Sequence, residues 1–325
     1  MATVEASPST SMAPPVLSAE GLAARPASIW RDTLRRLFRR RSAVVGLIIL
    51  GALALVAIFA PLIAPYSPEE VLIGKENVKK RAVPCIHLLG CAADQPQHIL
   101  GIDGNVRDFF SRIVYGARLS LAIGLTTVTF AIVVGTVLGA VSGYAGGWTD
   151  NIIMRLMDVL LAFPQLILAI AIVTMLGPGL QNALIAISIV SIPAYARVVR
   201  AGVLSIKEMD FVSASRALGA SSFHILFFRV LPNALTPLIV QGTLGIASAI
   251  LEAAALSFIG LGAQPPTPEW GSMLGAERNQ VFTAPHLVFF PGIAIMLTVL
   301  SFNLLGDGLR DALDPRLAQA GVKPR

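Results

Sequence analysis

Charge is the scarcest commodity in this sequence. Asp, Glu, Lys and Arg make up 14% of its 325 residues, against about 25% in a soluble domain. That shortage excludes the ordinary water-facing surface of a cytosolic enzyme. Only two cysteines occur, too few for a disulfide-dense secreted module. No His-Glu-x-x-His, Gly-x-Ser-x-Gly or Cys-x-x-Cys pattern is present, which removes the common zinc-protease, serine-hydrolase and redox signatures. A phosphate-cradling Gly-x-x-x-x-Gly-Lys-Ser/Thr loop is missing too. The only Gly-Lys pair, Gly74-Lys75, has Glu69 where the first glycine belongs and Glu76 where the hydroxyl belongs.

What fills the chain instead is apolar. Hydrophobic residues reach 55% and mean hydropathy is +0.73, so several membrane spans are expected. Residues 43–64 contain no charge and as a helix would reach about 33 Å, enough to cross a bilayer. Further apolar runs cover residues 119–144, 152–176, 184–204, 234–262 and 286–305, and the turn Gly177-Pro178-Gly179 separates the third from the fourth. The expected fold is therefore an all-α membrane protein of six spans.

Net charge is +6, and its placement argues for a membrane rather than nucleic acid. Arg31, Arg35, Arg36, Arg39, Arg40 and Arg41 crowd the approach to the first span, the positive-inside signature. Arg197, Arg200, Lys207, Arg216, Arg229 and Arg310 fall on the same side, whereas the short opposite loops hold little beyond Arg278. Both termini are expected in the cytoplasm. Residues 1–30, rich in Ser, Pro, Ala and Thr, read as a disordered lead-in. Residues 31–64 read as basic cluster and first span, 65–116 as an extracytoplasmic segment, 117–310 as a five-helix core and 311–325 as a cytoplasmic tail.

Scarce intramembrane charge is a functional candidate by default. Arg155 and Asp158 stand three apart on the third span and are expected to pair along one face, where a structural role and a substrate-facing one weigh equally. Glu252 has no charged neighbour in its run and should face the bundle interior, serving helix–helix hydrogen bonding or the translocation path. Pro164 should kink the third span. Cys85 and Cys91 lie in the outer segment, where oxidising conditions favour a disulfide closing a short insertion. Zinc held with His87 is the weaker alternative, since the spacing fits no familiar site.

The most informative stretch lies between the fourth and fifth spans, within residues 206–233. In the knob from Asp210 to Asn233, Phe211, Ala214 and Leu218 recur at helical spacing, Gly219 permits a left-handed turn, and Leu231, Pro232 and Asn233 lead into the next span. Ala214, the spacing to Gly219 and Leu231-Pro232 resemble the EAA coupling loop of binding-protein-dependent ATP-binding-cassette importer permeases. Ser213 and Ser215 stand where that family has Glu and Ala, so no role of that Glu is carried over. The resemblance extends to Leu100-Gly101-Ile102-Asp103, Arg107-Asp108, Tyr115-Gly116-Ala117-Arg118, residues 264–271 and residues 302–315, which are similar to the dipeptide, oligopeptide and nickel branch, C-type.

The resemblance implies a type I importer permease fold and no catalysis in this chain. It also implies a homologous second permease, two cytoplasmic ATPase subunits that bind ATP and Mg, and an extracytoplasmic substrate-binding protein. Asp210, Phe211, Ala214, Ser215, Leu218, Gly219, Leu231, Pro232 and Asn233 would couple to the ATPases. The implied cargo is a di- or oligopeptide, with nickel or another small solute next. A stand-alone secondary transporter or channel is the reading from another class; it would favour a repeated half, and none is visible.

Overall fold

The computed structural model describes residues 29–92 and 94–313. Most of the expected lead-in over residues 1–30, and the tail beyond Leu313, lie outside the described residues. Helix α1 (Ile29–Arg39) is short and basic, and α2 (Arg41–Ile58) is the first membrane-length helix. They are followed by α3 (Phe109–Ala145), α4 (Gly147–Leu161), α5 (Gln165–Leu176) and α6 (Leu180–Ile206). Two short helices, α7 (Asp210–Ala217) and α8 (Ser222–Ile225), precede α9 (Thr236–Phe258), α10 (Trp270–Glu277) and α11 (His286–Leu313).

Among the described residues five helices are individually long and apolar enough to span. The sixth crossing is made by α4 and α5 together, which meet at a bend of 91°. Pro164 causes the break: it supplies no backbone N–H and sits at φ −57°, ψ 128°. The pair still connects opposite ends of the bundle. At one end Arg200 of α6 bonds Asp150 near the start of α4; at the other Gly179 N–H donates to Leu261 O just beyond α9. The expected single kinked helix is thus two helices sharing one crossing.

Helix α3 begins ten residues before the apolar run that announces it. Asp108 caps it, accepting from Ser111 N at 2.8 Å, the bond an N-terminal helix turn needs. With 37 residues it would be about 55 Å long, so its first turns stand outside a hydrocarbon layer of about 30 Å.

The bundle is organised on small residues. Ala131, Gly135, Gly139 and Gly143 recur every fourth position of α3 and face α6. A Cβ on Gly135 would lie 2.8 Å from that of Tyr195, and one on Gly139 would lie 2.3 Å from the carbonyl oxygen of Ala196. Only glycine lets the two backbones approach this closely, the small-residue packing that replaces hydrophobic drive inside lipid. The same device seats α2 on α11, where Gly46 meets the Ser301 carbonyl and Gly308 meets Ala43.

At one end, residues 65–108 and 259–285 form a cap. Leu72, Ile102 and Val106 give the cap a small core, and Cys85 and Cys91 are joined in a disulfide with Cα atoms 5.4 Å apart. Arg81 Nε donates to Glu277 Oε2 at 2.8 Å, while Glu277 Oε1 accepts from Gly104 N at 2.9 Å. Trp270, 1% exposed, donates to Ile113 O at 3.0 Å and lies over Gly116, where any Cβ would meet its ring.

Buried His98 is the polar centre of the cap. Its Nδ1 lies 2.8 Å from Asp108 Oδ1 and its Nε2 lies 3.0 Å from Glu76 Oε2. Tyr66 donates to the other oxygen of Glu76 at 2.8 Å and its ring lies 5.3 Å from the imidazole. With carboxylates on both sides, a proton on each ring nitrogen would find an acceptor. Burial opposes that charge, but the hydrogen bonds and charges of Asp108 and Glu76 together hold the imidazole above its ordinary value. A raised histidine value means its stabilisation is complete below about 6.5, the unfolded value, and is lost as pH rises through the folded one.

Two outcomes follow. Gly139→Ala should destabilise the folded chain by about 1–3 kcal/mol through overpacking. Gly51→Ala, whose Cβ would meet nothing within 4 Å, should be neutral or slightly stabilising; thermal unfolding in detergent compares them. Hydrogen exchange over residues 76–108 should accelerate as pH rises above about 6.5, beyond the intrinsic base catalysis, and His98→Gln should flatten that excess.

Candidate functional site

Opposite the cap, residues 207–235 form a knob. Helix α7 ends at Leu218, and Gly219 turns the chain at φ +81°, a left-handed conformation that glycine adopts at little cost. Ser221 then caps α8, accepting from His224 N at 3.3 Å. Val212 and Ile225, each 1% exposed, root the two helices in the main core with Leu226 and Val230. Ser215 Oγ donates to Phe211 O at 2.8 Å, and Asn233 Nδ2 donates to Arg229 O at 2.7 Å. After α8 the chain forms a π-helical turn over Leu226–Val230. Leu231, Pro232 and Asn233 then start a single helical turn, Leu231–Ala234, ahead of α9.

Much of what the knob leaves uncovered is apolar, set among exposed polar groups such as Asp210, Arg216 and His224. Leu218 is 88% exposed, and Phe211, Phe223 and Phe228 are exposed with it. Ala214 and Gly219 lie open on the same surface. A small rigid projection with bare phenylalanines at its tip is what a docking element presents.

Just above the knob, α4 is clamped to α6. Arg200 grips Asp150 with two bonds, Nε to Oδ1 and Nη2 to Oδ2, each 2.6 Å. Ser142 Oγ donates to the same Asp150 Oδ1, and Lys207 Nζ donates to Gly143 O at 3.0 Å. One step further, Arg197 Nη2 donates to Asp158 Oδ1 at 2.6 Å. This corrects the expected Arg155–Asp158 pair. Asp158 is held by an arginine from across the helix pair, and Arg155 makes no ion pair or side-chain hydrogen bond among the described residues. Cross-helix partners were not readable from spacing, although Arg197 and Arg200 stood out as charges at the end of an apolar run.

Glu252 lies on α9 in the bundle. Its Oε2 is enclosed and accepts no hydrogen bond among the described residues, and Tyr195 of α6 is within its electrostatic reach. Beside α4 is a cavity of about 740 Å³, lined by Trp148, Asp150, Arg155, Leu156, Asp158 and Arg200 among others. Arg155 and Asp158 therefore share one cavity without bonding each other.

A family model described as the binding-protein-dependent transport system inner membrane component matches residues 135–319. The chain belongs to this family. A second model, the N-terminal TM domain of oligopeptide transport permease C, matches residues 28–81. Among curated relatives, the chain is 51% identical over 290 residues to a dipeptide transport system permease protein of Alkalihalophilus pseudofirmus, covering 89% of this chain and 91% of that one. It is 46% identical to a di/tripeptide transport system permease protein of Pseudomonas aeruginosa, covering 92% and 97%. It is 44% identical to a glutathione transport system permease protein of Pectobacterium atrosepticum, covering 89% and 91%.

A solved structure of the MetNI methionine ABC transporter in an inward-facing conformation superposes with TM-score 0.52 at 20% identity, covering 62% of this chain and 96% of that one, which establishes the shared fold. The chain is thus a multi-pass inner-membrane permease component of the ABC importer class, and not itself an enzyme.

The Asp150–Arg200 clamp should be measurable on its own. Asp150→Asn or Arg200→Gln should each cost about 1.5–3 kcal/mol, the range for hydrogen bonds to charged groups. The exchanged pair Asp150→Arg with Arg200→Asp should recover part of the loss in thermal unfolding, as a double-mutant cycle reads.

Proposed function

We propose that this permease forms half of the translocation path of an ATP-driven importer of di- or oligopeptides, with both termini in the cytoplasm. The observation that carries this reading is the 51% identity to a dipeptide permease across nearly its whole length; the di/tripeptide and glutathione relatives support the same substrate class. A homologous second permease supplies the other half of the path. An extracytoplasmic binding protein delivers substrate to the capped end, and two ATPase subunits, holding ATP and Mg, sit beneath the knob.

In this reading Asp210, Phe211, Ala214, Ser215, Leu218, Gly219, Leu231, Pro232 and Asn233 form the ATPase contact and its mounting. The bare apolar tip, with Leu218 88% exposed, supports it. Because α6 runs directly into the knob, displacement of the docked knob moves Arg197 and Arg200, and with them α4. The docking contact must differ in strength between two states of the importer, since equal contact in both would shift no equilibrium. Arg155, Asp158 and Glu252 are the path candidates.

The test is coupling. Gly219→Val places a β-branched residue in a left-handed turn, a strain of about 1–2 kcal/mol, although no neighbour lies within 4 Å of the added Cβ. In proteoliposomes holding the complete importer, the variant should insert and assemble normally while peptide uptake per ATP hydrolysed falls severalfold. Unchanged coupling would remove the knob from the drive train.

A further inference from the structure

Three arginines and two aspartates meet where α4 lies against α6. Asp150 is held by Arg200 and Asp158 by Arg197, which neutralises both acids. Arg155 is the cation left over: it is exposed on α4 and makes no ion pair or side-chain hydrogen bond among the described residues. An arginine in a membrane span is costly unless something answers its charge. Here its natural counter-ion on the same helix has been taken by another residue.

The surroundings say what could answer it. Arg155 lines the cavity of about 740 Å³ beside α4, whose other walls include Trp148, Ile152, Leu156 and Val159. The cavity is an open groove, and it pairs apolar walls with the orienting polar groups that small-molecule sites use. A guanidinium presents a planar fork that matches a carboxylate with two parallel hydrogen bonds. Every unmodified peptide, whatever its side chains, ends in a carboxylate, so an arginine not spent on an ion pair, set beside apolar walls and the paired Asp150, Asp158 and Arg200, recognises the class without choosing a sequence.

We propose that Arg155 is a substrate-binding residue of the path, receiving the terminal carboxylate of the peptide in the α4 cavity; this rests on the peptide-import reading above. The contact is deliberately incomplete, one half-open cation rather than an enclosed pair, which suits a site that must both admit and release its cargo. Asp150 and Asp158 take no part in binding: their arginines hold them, so neither repels the incoming carboxylate at full strength.

The chain's two cysteines are both consumed by the disulfide, so Leu156→Cys, on the wall beside Arg155, introduces its single free thiol while leaving Arg155 in place. In the complete importer, with other subunits free of reactive cysteine, an anionic methanethiosulfonate should label that thiol. A saturating dipeptide supplied with binding protein and ATP should slow labelling severalfold. Failure to label, which would mean the partner permease covers this face, overturns the proposal, as does labelling that ignores the dipeptide. Separately, Arg155→Gln should lower dipeptide uptake about tenfold, the scale of one lost charge-assisted contact. Binding-protein-stimulated ATP hydrolysis should persist and Arg155→Lys should restore part of the uptake, which a merely structural role would not produce. If the wild-type complex imports no dipeptide, the import reading itself falls and takes this proposal with it; if wild type imports and Arg155→Gln imports equally well, only this proposal falls.

Discussion

The close approach of α3 and α6 is the constraint on which the rest of the bundle depends. Lipid offers apolar helices no hydrophobic reason to associate, so contact must come from backbones brought within van der Waals reach. Gly135, Gly139 and Gly143 allow this by having no Cβ to collide with Tyr195, the Ala196 carbonyl and the Arg200 carbonyl. Once α6 is seated in that groove, its register is fixed, and so is the position of everything it carries. Arg197 and Arg200 arrive opposite Asp158 and Asp150, and Ile206 delivers the chain to the knob.

Charge is handled differently at the two ends. In the cap, Asp103, Arg107 and Arg112 form a buried set, and His98 is enclosed by Glu76 and Asp108. These groups stitch segments distant in sequence into one layer. On the knob side the ion pairs are more open, with Arg197 and Asp158 each about half exposed, and such pairs add little stability alone. Their value is positional: they tie α4 to the helix that carries the knob. The bend at Pro164 then separates that tethered arm from α5, whose far end is held through Gly179 and Leu261. One crossing therefore has an end fastened beside the cap, through Gly179 and Leu261, and an end fastened to α6.

Much of this was legible in the residues. The uncharged run over residues 43–64, and the run over residues 234–262 interrupted only by Glu252, mark spans because nothing else in a folded chain needs so much contiguous apolar surface. Gly219 marked the knob's turn, and its φ of +81° is the conformation that choice serves. The early start of α3 was hidden because Ser111, Arg112 and Arg118 break the apolar pattern while Asp108 supplies the cap. The Arg155–Asp158 pair failed for a related reason. Spacing along one helix identifies neighbours but is blind to a competitor from another helix, and Arg197 was that competitor. Likewise Pro164 announced a break, while its 91° depends on what each half packs against.

The cap has an order in time as well as in space. His98 and Asp108 are ten residues apart in the chain, and Glu76 is 22 residues from His98. These three groups are available to one another as soon as the second span has been threaded into the membrane. Arg81 and Glu277 are separated by 196 residues, so their contact waits until the fifth span has crossed. The cap is therefore held by two kinds of contact: a local knot at the head of α3, and a seal closed by the last loop to reach that end.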